Sequence, residues 1–252
     1  NAANGIANSV CTVVSSFVNN FTQAFNPQIT KQYAAGEYES LMKLLIYGSK
    51  YSYYLMFILA LPVIFNAHYI LHLWLGIVPE HTVTFTRWIF VFLLAESISR
   101  PIITAKNANG HIRNYQIVVG GILLLMLPIS YVGLKMGMPV TFVAFVNALT
   151  AIMAIFARMY MLRGDFPCWS TRIYYKEVFM NVIIVSVVAS IAPGLSYNLL
   201  PEGLINFIFT STFAVISSCM SVFYVGCSKV ERELIIHKSR QAINTFKSKF
   251  VR

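Results

Sequence analysis

The chain has 252 residues, of which 57% are hydrophobic and only 11% are charged, and its formal net charge is +10. Soluble domains carry roughly 25% charged residues, so a water-soluble fold would have too little polar surface here. The basic residues fall in short segments between apolar runs, which is not the pattern of a nucleic-acid-binding patch. Composition therefore predicts an integral membrane protein.

Apolar segments long enough to cross a bilayer occur seven times. A helix needs about 20 mostly apolar residues to span the hydrocarbon core. We predict spans near residues 5–29, 51–69, 82–105, 115–136, 140–161, 174–193 and 205–227. The expected fold is an all-α polytopic membrane bundle over residues 1–228. Because the first residue is Asn1 and not Met, we expect this chain to lack the N-terminal part of a longer protein.

Lysine and arginine alternate between connectors, and these residues stay preferentially on the cytoplasmic side during insertion. Seventeen of the nineteen lie in or beside the first, third and fifth connectors and the C-terminal tail: Lys31, Lys43, Lys50, Arg100, Lys106, Arg113, Arg158, Arg163, Arg172, Lys176, Lys229, Arg232, Lys238, Arg240, Lys247, Lys249 and Arg252. The other two are Arg87, inside the third span, and Lys135. The pattern predicts an outside N-terminus and a cytoplasmic C-terminus.

The tail, residues 229–252, mixes apolar and basic side chains. Val230, Leu234, Ile243, Phe246 and Phe250 stand among its cations. This composition fits an amphipathic helix on the inner leaflet. It also fits a solvated basic tail that acts only as a topology signal.

A row of neutral polar residues runs along the whole first span. Its members recur at spacings of 4, 4, 3, 4 and 3, which keeps them on one helical face: Asn8, Thr12, Ser16, Asn19, Gln23 and Asn26. We call them the polar stripe. It cannot face lipid, because each unsatisfied amide in hydrocarbon costs several kcal/mol. It either holds helices together by hydrogen bonds or lines a water-filled cavity, and we favour the cavity. Neutral amides and hydroxyls suit a polyhydroxylated cargo.

Ionisable residues inside spans are functional candidates by default. Arg87 either reaches the outer headgroups or anchors a phosphate, which a guanidinium grips with two parallel hydrogen bonds. Glu96 and Arg100 are spaced i, i+4 and can pair on one face, and Glu96 is also a candidate for ion coupling. His68, His72 and His81 fit an interfacial cluster better than a metal site. No catalytic motif is visible, so we expect no enzyme, no cofactor and no metal.

Two stretches resemble a known family. The run Ala24-Phe25-Asn26-Pro27-Gln28-Ile29-Thr30-Lys31, continued by Tyr33-Ala34-Ala35-Gly36-Glu37 and Glu39, is similar to a span-to-loop signature of Wzx-type polysaccharide flippases. The run Ile70-Leu71-His72-Leu73-Trp74-Leu75-Gly76-Ile77-Val78-Pro79 is similar to the outer loop after their next span. These flippases belong to the multidrug/oligosaccharidyl-lipid/polysaccharide exporter superfamily. The order of the remaining spans also fits.

The resemblance implies two six-helix lobes, often with two extra helices, around a cavity that opens alternately to each side of a bacterial inner membrane. The implied cargo is an undecaprenyl-pyrophosphate-linked oligosaccharide repeat unit of O-antigen or capsule, and family members place basic residues in the cavity for it. Here Arg87 and Arg100 match that role. This chain would supply spans 8 to 14.

The expected partners are the lipid-linked oligosaccharide, membrane lipids, the first lobe of the same protein and a polysaccharide polymerase complex, with no nucleic acid. Two other functions stay open. One is a drug or small-solute exporter of the same superfamily. The other is a membrane-embedded glycan polymerase or ligase, which the short outer connectors of about a dozen residues disfavour.

Overall fold

The computed structural model describes residues 2–167, 169–199, 201, 203–233, 236–237 and 241. Within these ranges the regular elements are helices, and no strand occurs. They are α1 (Ala2–Gln23), α2 (Asn26–Ala34), α3 (Tyr38–Phe65), α4 (Ala67–Leu75), α5 (Thr82–Asn109), α6 (Arg113–Leu124), α7 (Met126–Lys135), α8 (Phe142–Leu162), α9 (Thr171–Tyr174), a π-helical turn (Tyr175–Met180), α10 (Asn181–Leu199), α11 (Leu204–Ser221) and a second π-helical turn (Val222–Gly226).

Six helical segments of the described chain are long and apolar enough to cross a membrane: Tyr38–Phe65, Thr82–Asn109, Arg113–Lys135, Phe142–Leu162, Thr171–Leu199 and Leu204–Gly226. They match the second to seventh predicted spans, and they confirm the all-α polytopic fold. Helix α1, the predicted first span, has 22 residues but is not among the six. Its polar stripe lowers its mean hydropathy.

Three predicted spans are interrupted, each close to a proline, and the second of the seven breaks at Asn66, four residues after Pro62. The first ends at Gln23 and resumes at Asn26, because Pro27 lacks an N–H and its ring would clash with the carbonyl of Gln23. The fourth divides between α6 and α7 at Leu125, three residues before Pro128. A membrane helix tolerates such breaks where neighbouring groups satisfy the freed carbonyls.

Helices α3 and α5 form the centre of the bundle. Helix α8 packs on α5 and carries α6 and α7, the α10–α11 hairpin packs on α3, and α1 lies against both central helices. The central pair approach closely at Gly48, where an added Cβ would lie 3.2 Å from Pro101 Cγ. Ala60, Ala105 and Ala189 are fully buried. Small residues at such contacts let membrane helices pack tightly.

The connectors that carry most basic residues meet at one end of the bundle, which we call the basic end. The Tyr33 hydroxyl, on α2, donates to Asn109 Oδ1 at 3.0 Å. The Tyr33 ring also contacts Phe166, with 5.8 Å between ring centroids. Lys106 forms an ion pair with Asp165. The first, third and fifth connectors therefore share an end, as the charge alternation requires.

Several basic residues assigned to connectors lie inside helices instead, and Lys43, Lys50 and Arg158 are among them. Helix α3 begins at Tyr38 rather than Tyr51, so Lys43 and Lys50 are helical, and Arg158 lies in α8. Lys50 is 2% exposed and Arg158 is 5% exposed. Counting charges along the sequence cannot distinguish a cation at the membrane surface from one a turn or two inside it.

A buried ion pair explains how Lys50 is accommodated. Its Nζ donates to both carboxylate oxygens of Glu231, at 2.8 and 3.0 Å. Residues 229–233 form a short helix after the last span, and this pair docks that helix against α3. Arg232 also donates to the carbonyls of Tyr224 and Cys227. Most of the predicted amphipathic tail, residues 229–252, lies outside the described residues.

Removing one partner of the Lys50–Glu231 pair should destabilise the fold strongly, because the other charge stays buried and unpaired. We expect Lys50→Met to cost about 3–5 kcal/mol. The free energy of unfolding in detergent, followed by circular dichroism, measures the loss. Glu231→Gln should also destabilise, whereas the matched change Glu233→Gln, at an exposed position, should be nearly neutral. Equal stability of these two glutamine variants would contradict the docking role.

The stabilisation that the Lys50–Glu231 pair provides depends on pH. Burial acts to raise the pKa of Glu231, but hydrogen bonds from Lys50 and from the Ser228 backbone outweigh it and hold the pKa below its ordinary 4.5. The stabilisation is therefore complete above that ordinary value and is lost as the pH falls through the lowered one.

Candidate functional site: a polar cleft between α1 and α5

Helix α1 has a buried face that positions it on the bundle. Ala7, Cys11, Val18 and Thr22 are its buried residues. The Thr22 and Ser52 hydroxyls lie 3.1 Å apart and form a hydrogen bond that links α1 to α3. This face fixes the rotation of the helix, and the polar stripe then lies along an adjacent, more open face.

Two cavities follow the stripe where it passes α5, and together we call them the α1–α5 cleft. The chamber near the start of α1, which we call the outer chamber, has a volume of about 210 Å³ and also reaches α7 and α8. Its lining residues are Asn4, Asn8, Cys11, Thr12, Ser15, Phe85, Ile89, Phe92, Leu93, Met126, Val143, Ala144 and Asn147. The chamber near the end of α1, which we call the inner chamber, has a volume of about 130 Å³. Its lining residues are Asn19, Thr22, Gln23, Asn26, Glu96, Arg100, Ile103 and Thr104. One buried water needs roughly 10–15 Å³, so both chambers can hold several waters.

The chambers lie in series along the two helices. On α1 the outer chamber ends at Ser15 and the inner one begins at Asn19, about one helical turn further on. On α5 the corresponding step runs from Leu93 to Glu96. The two chambers therefore follow most of the length of α1, from an outer one with an aromatic and aliphatic wall to an inner one with charged groups.

In the outer half the stripe residues satisfy part of their hydrogen-bonding capacity within α1. Asn8 Nδ2 donates to the Asn4 carbonyl at 2.9 Å. Thr12 donates to the Asn8 carbonyl at 2.7 Å, and Ser16 donates to that of Thr12 at 2.8 Å. All three side chains are exposed, and Ser16 lines neither chamber. None of these bonds joins α1 to another helix.

The inner chamber brings together five of the predicted site residues. Thr104 donates to Asn26 Oδ1 at 2.9 Å, which ties α2 to α5. The side-chain amides of Asn19 and Gln23 have no hydrogen-bond partner within the described part of the chain, and they face the wall that carries Glu96 and Arg100. Free amides beside a cation and a carboxylate can bind water, hydroxyl groups or a small anion.

The predicted ion pair between Glu96 and Arg100 is not formed. Among the described residues, no basic nitrogen lies within 4.0 Å of the Glu96 carboxylate. Both side chains are partly buried and both line the inner chamber. Spacing of i, i+4 permits a contact on one helix face, but the two side chains are free to point apart where a cavity lies beside them.

Arg87 lies away from the other predicted site residues. Its side chain is exposed, it lines neither chamber, and its Nε donates to the Ile64 carbonyl at 3.1 Å. That carbonyl is at the end of α3, where the helix breaks before α4 and leaves its last carbonyls without intrahelical donors. In this structure Arg87 caps a helix end, and its Nη groups remain available to other partners.

Hydrogen bonds between helices do not explain why the stripe residues are polar. Of its six members, Asn26 is the one with a hydrogen bond to another helix in the described structure. The bond that joins α1 to α3 comes from Thr22, outside the stripe. Five of the six stripe residues line one of the two chambers.

The sequence reasoning missed three residues that matter here. Thr104 continues the series Glu96, Arg100 at the same four-residue interval, so helical periodicity could have found it. Asn147 enters the outer chamber from α8, and only the packing of α8 on α5 shows this. Arg158 was placed in a connector. Within the described ranges, no three His, Cys, Asp or Glu side chains gather as a metal site would need.

We expect thiols placed in the cleft to react from water. In a background without Cys11, Cys168, Cys219 and Cys227, Asn19→Cys and Gln23→Cys should react with a charged methanethiosulfonate several-fold faster than Val18→Cys, because only a hydrated thiol ionises readily. Val18 is 2% exposed and is the matched buried control. Rates at positions 19 and 23 as slow as at position 18 would show that the chamber is dry.

No family model, curated protein or solved structure matches this chain. The resemblance to Wzx-type flippases rests on the stretches at residues 24–39 and 70–79 alone. The six long apolar helices belong to a multi-pass membrane protein and fit a membrane transporter in general.

Proposed function

We propose that this chain is one lobe, with its extra helix pair, of a transporter that flips undecaprenyl-pyrophosphate-linked oligosaccharide repeat units across a bacterial inner membrane. The observation that carries the proposal is the inner chamber, where the free amides of Asn19 and Gln23 face Arg100 across hydratable space. Neutral amides exchange hydrogen bonds with sugar hydroxyls without the cost of burying a charge. A guanidinium at the same level suits a pyrophosphate.

Transport, and not catalysis, is the role we assign to this site. Alternating access would expose the α1–α5 cleft first to one side and then to the other, and the breaks at Pro27 and Leu125 place short helices at its borders. Of the stripe residues, Asn8, Thr12, Ser16 and Gln23 form an exposed surface. Since that surface cannot face lipid, we propose that the first lobe of the same protein supplies the facing wall.

A second candidate is a drug or small-solute exporter of the same superfamily. Phe85, Ile89, Phe92, Leu93 and Met126 give the outer chamber an apolar wall, and Glu96 is an acid inside the cleft. Both features suit an amphipathic cation. A transport assay that compares a cationic dye with a lipid-linked glycan separates the two functions.

Changing Asn19 and Gln23 together to Leu should abolish most glycan export, because the cargo loses hydrogen-bonding partners that apolar side chains cannot replace. The measurement is surface polysaccharide in cells that carry the variant gene, with membrane insertion checked by immunoblot. The matched control is Asn198→Leu, on α10, where an exposed Asn donates within its own helix. Wild-type export by the double variant would mean that the stripe does not contact cargo.

Arg100→Ala should reduce export more than Arg87→Ala does, because Arg100 lines the inner chamber and Arg87 lines neither chamber. Arg100→Lys should retain part of the activity, since it keeps the charge but loses the two-pronged donor. The readout is the rate at which lipid-linked glycan appears in the outer leaflet. If Arg87→Ala alone abolished export, the pyrophosphate anchor would have to lie near the end of α3 instead.

A further inference from the structure

Arg158 is a buried cation for which the cleft gives no direct explanation. It lies in α8, its side chain is 5% exposed, and its Nε and Nη1 have no hydrogen-bond partner in the described structure. No carboxylate of a described residue lies within 4.0 Å of it. An unpaired guanidinium in a membrane-spanning helix is costly, so such a residue marks a functional position.

Tyr115 lies next to it. This residue is the third of α6, is 2% exposed, and packs on Ala154, one helical turn before Arg158. Its hydroxyl is also buried and has no partner with full hydrogen-bond geometry in the described structure. This hydroxyl is within electrostatic reach of Arg158 and, more weakly, of Glu96. Tyr115 therefore connects the buried cation to the wall of the inner chamber.

Near Arg158 and the inner chamber, the cations are not all paired with carboxylates. Two other buried cations of the basic end have their own carboxylates: Lys50 pairs with Glu231, and Lys106 pairs with Asp165. Arg100 and Arg158 remain without an ion pair among the described residues, and Glu96, the carboxylate that lines the inner chamber, has none either. This part of the bundle thus holds two unpaired cations and one unpaired carboxylate.

We propose that Glu96 has two positions: one toward Arg100 in the inner chamber, and one toward Arg158 and Tyr115 behind it. An anionic group that binds Arg100 would repel the Glu96 carboxylate and move it to the second position. There it would accept hydrogen bonds from the guanidinium and the hydroxyl, which relieves two buried, unsatisfied donors. Binding in the cleft would then tighten the contact between α5 and the α6–α8 pair.

This inference rests on the proposed function, since the anion it invokes is the pyrophosphate of the cargo. It adds a residue, Arg158, that positions Glu96 without touching cargo. The coupling is reciprocal, because a ligand that strengthens the Glu96–Arg158 contact must itself bind more tightly when that contact is available.

The two positions of Glu96 can be tested by double-mutant cycles. The measured quantity is the Tm of thermal unfolding in detergent, with and without inorganic pyrophosphate. The variants are Glu96→Gln, Arg158→Gln and their combination, and the same set with Arg100→Gln. We expect pyrophosphate to raise the wild-type Tm by about 3 °C, to increase the coupling between Glu96 and Arg158, and to decrease that between Glu96 and Arg100. Tyr115→Phe, which removes only the hydroxyl, should weaken the first response if Arg158→Gln folds poorly.

Glu39 and Lys43 form the matched control pair. They have the same i, i+4 spacing as Glu96 and Arg100 and are exposed on α3, so pyrophosphate should leave their coupling unchanged. If pyrophosphate stabilises the wild type but leaves the Glu96–Arg158 coupling unchanged, the two-position carboxylate is wrong while anion binding in the cleft stands. If the wild type does not respond at all, the anion site of the proposed function fails as well.

Discussion

A hydrogen-bonding group that is removed from water must find a partner, and in this protein that constraint bears most directly on the polar stripe of α1. Three exposed stripe residues bond within the helix, Asn26 bonds to α5, and the amides of Asn19 and Gln23 stay free in the described structure. Lipid cannot satisfy those amides. The rotation of α1, set by its buried face, therefore creates hydratable space beside α5, and the rest of the bundle holds that arrangement in place.

Charged groups inside the bundle follow two different rules. At the basic end, Lys50 and Lys106 are paired with carboxylates from segments that come after the helices they belong to, so each pair joins distant parts of the chain. Such pairs anchor the tail and the fifth connector. Around the cleft, Arg100, Arg158 and Glu96 are left without fixed partners among the described residues. A charge that has no fixed partner can respond to a ligand, whereas a paired one resists movement.

The cleft also changes character along its length, and this bears on the class of cargo. Aromatic and aliphatic side chains of α5 and α7 face the outer chamber, while amides, two hydroxyls and charges face the inner one. An amphipathic cargo, with an anionic group next to hydroxylated rings, is compatible with both surfaces. This change in polarity comes from α5, which lines the outer chamber with Phe and Leu side chains. From the level of Asn19 onward it lines the inner chamber with Glu96, Arg100 and Thr104.

The sequence by itself determined the membrane class, six of the spans, the face on which the polar stripe lies and the position of Glu96 and Arg100 one turn apart on a helix, because hydropathy and helical periodicity depend only on local order. Tertiary structure decided what local order cannot contain. Lys50 and Arg158 are buried because of helices far away in the chain, and the Glu96–Arg100 contact is absent because a cavity lies beside it. Arg87 lies outside the cleft because α3 ends within its reach. Whether a side chain is buried, and which group it pairs with, depends on the helices packed against it. A residue pattern along one helix does not specify which helices those are.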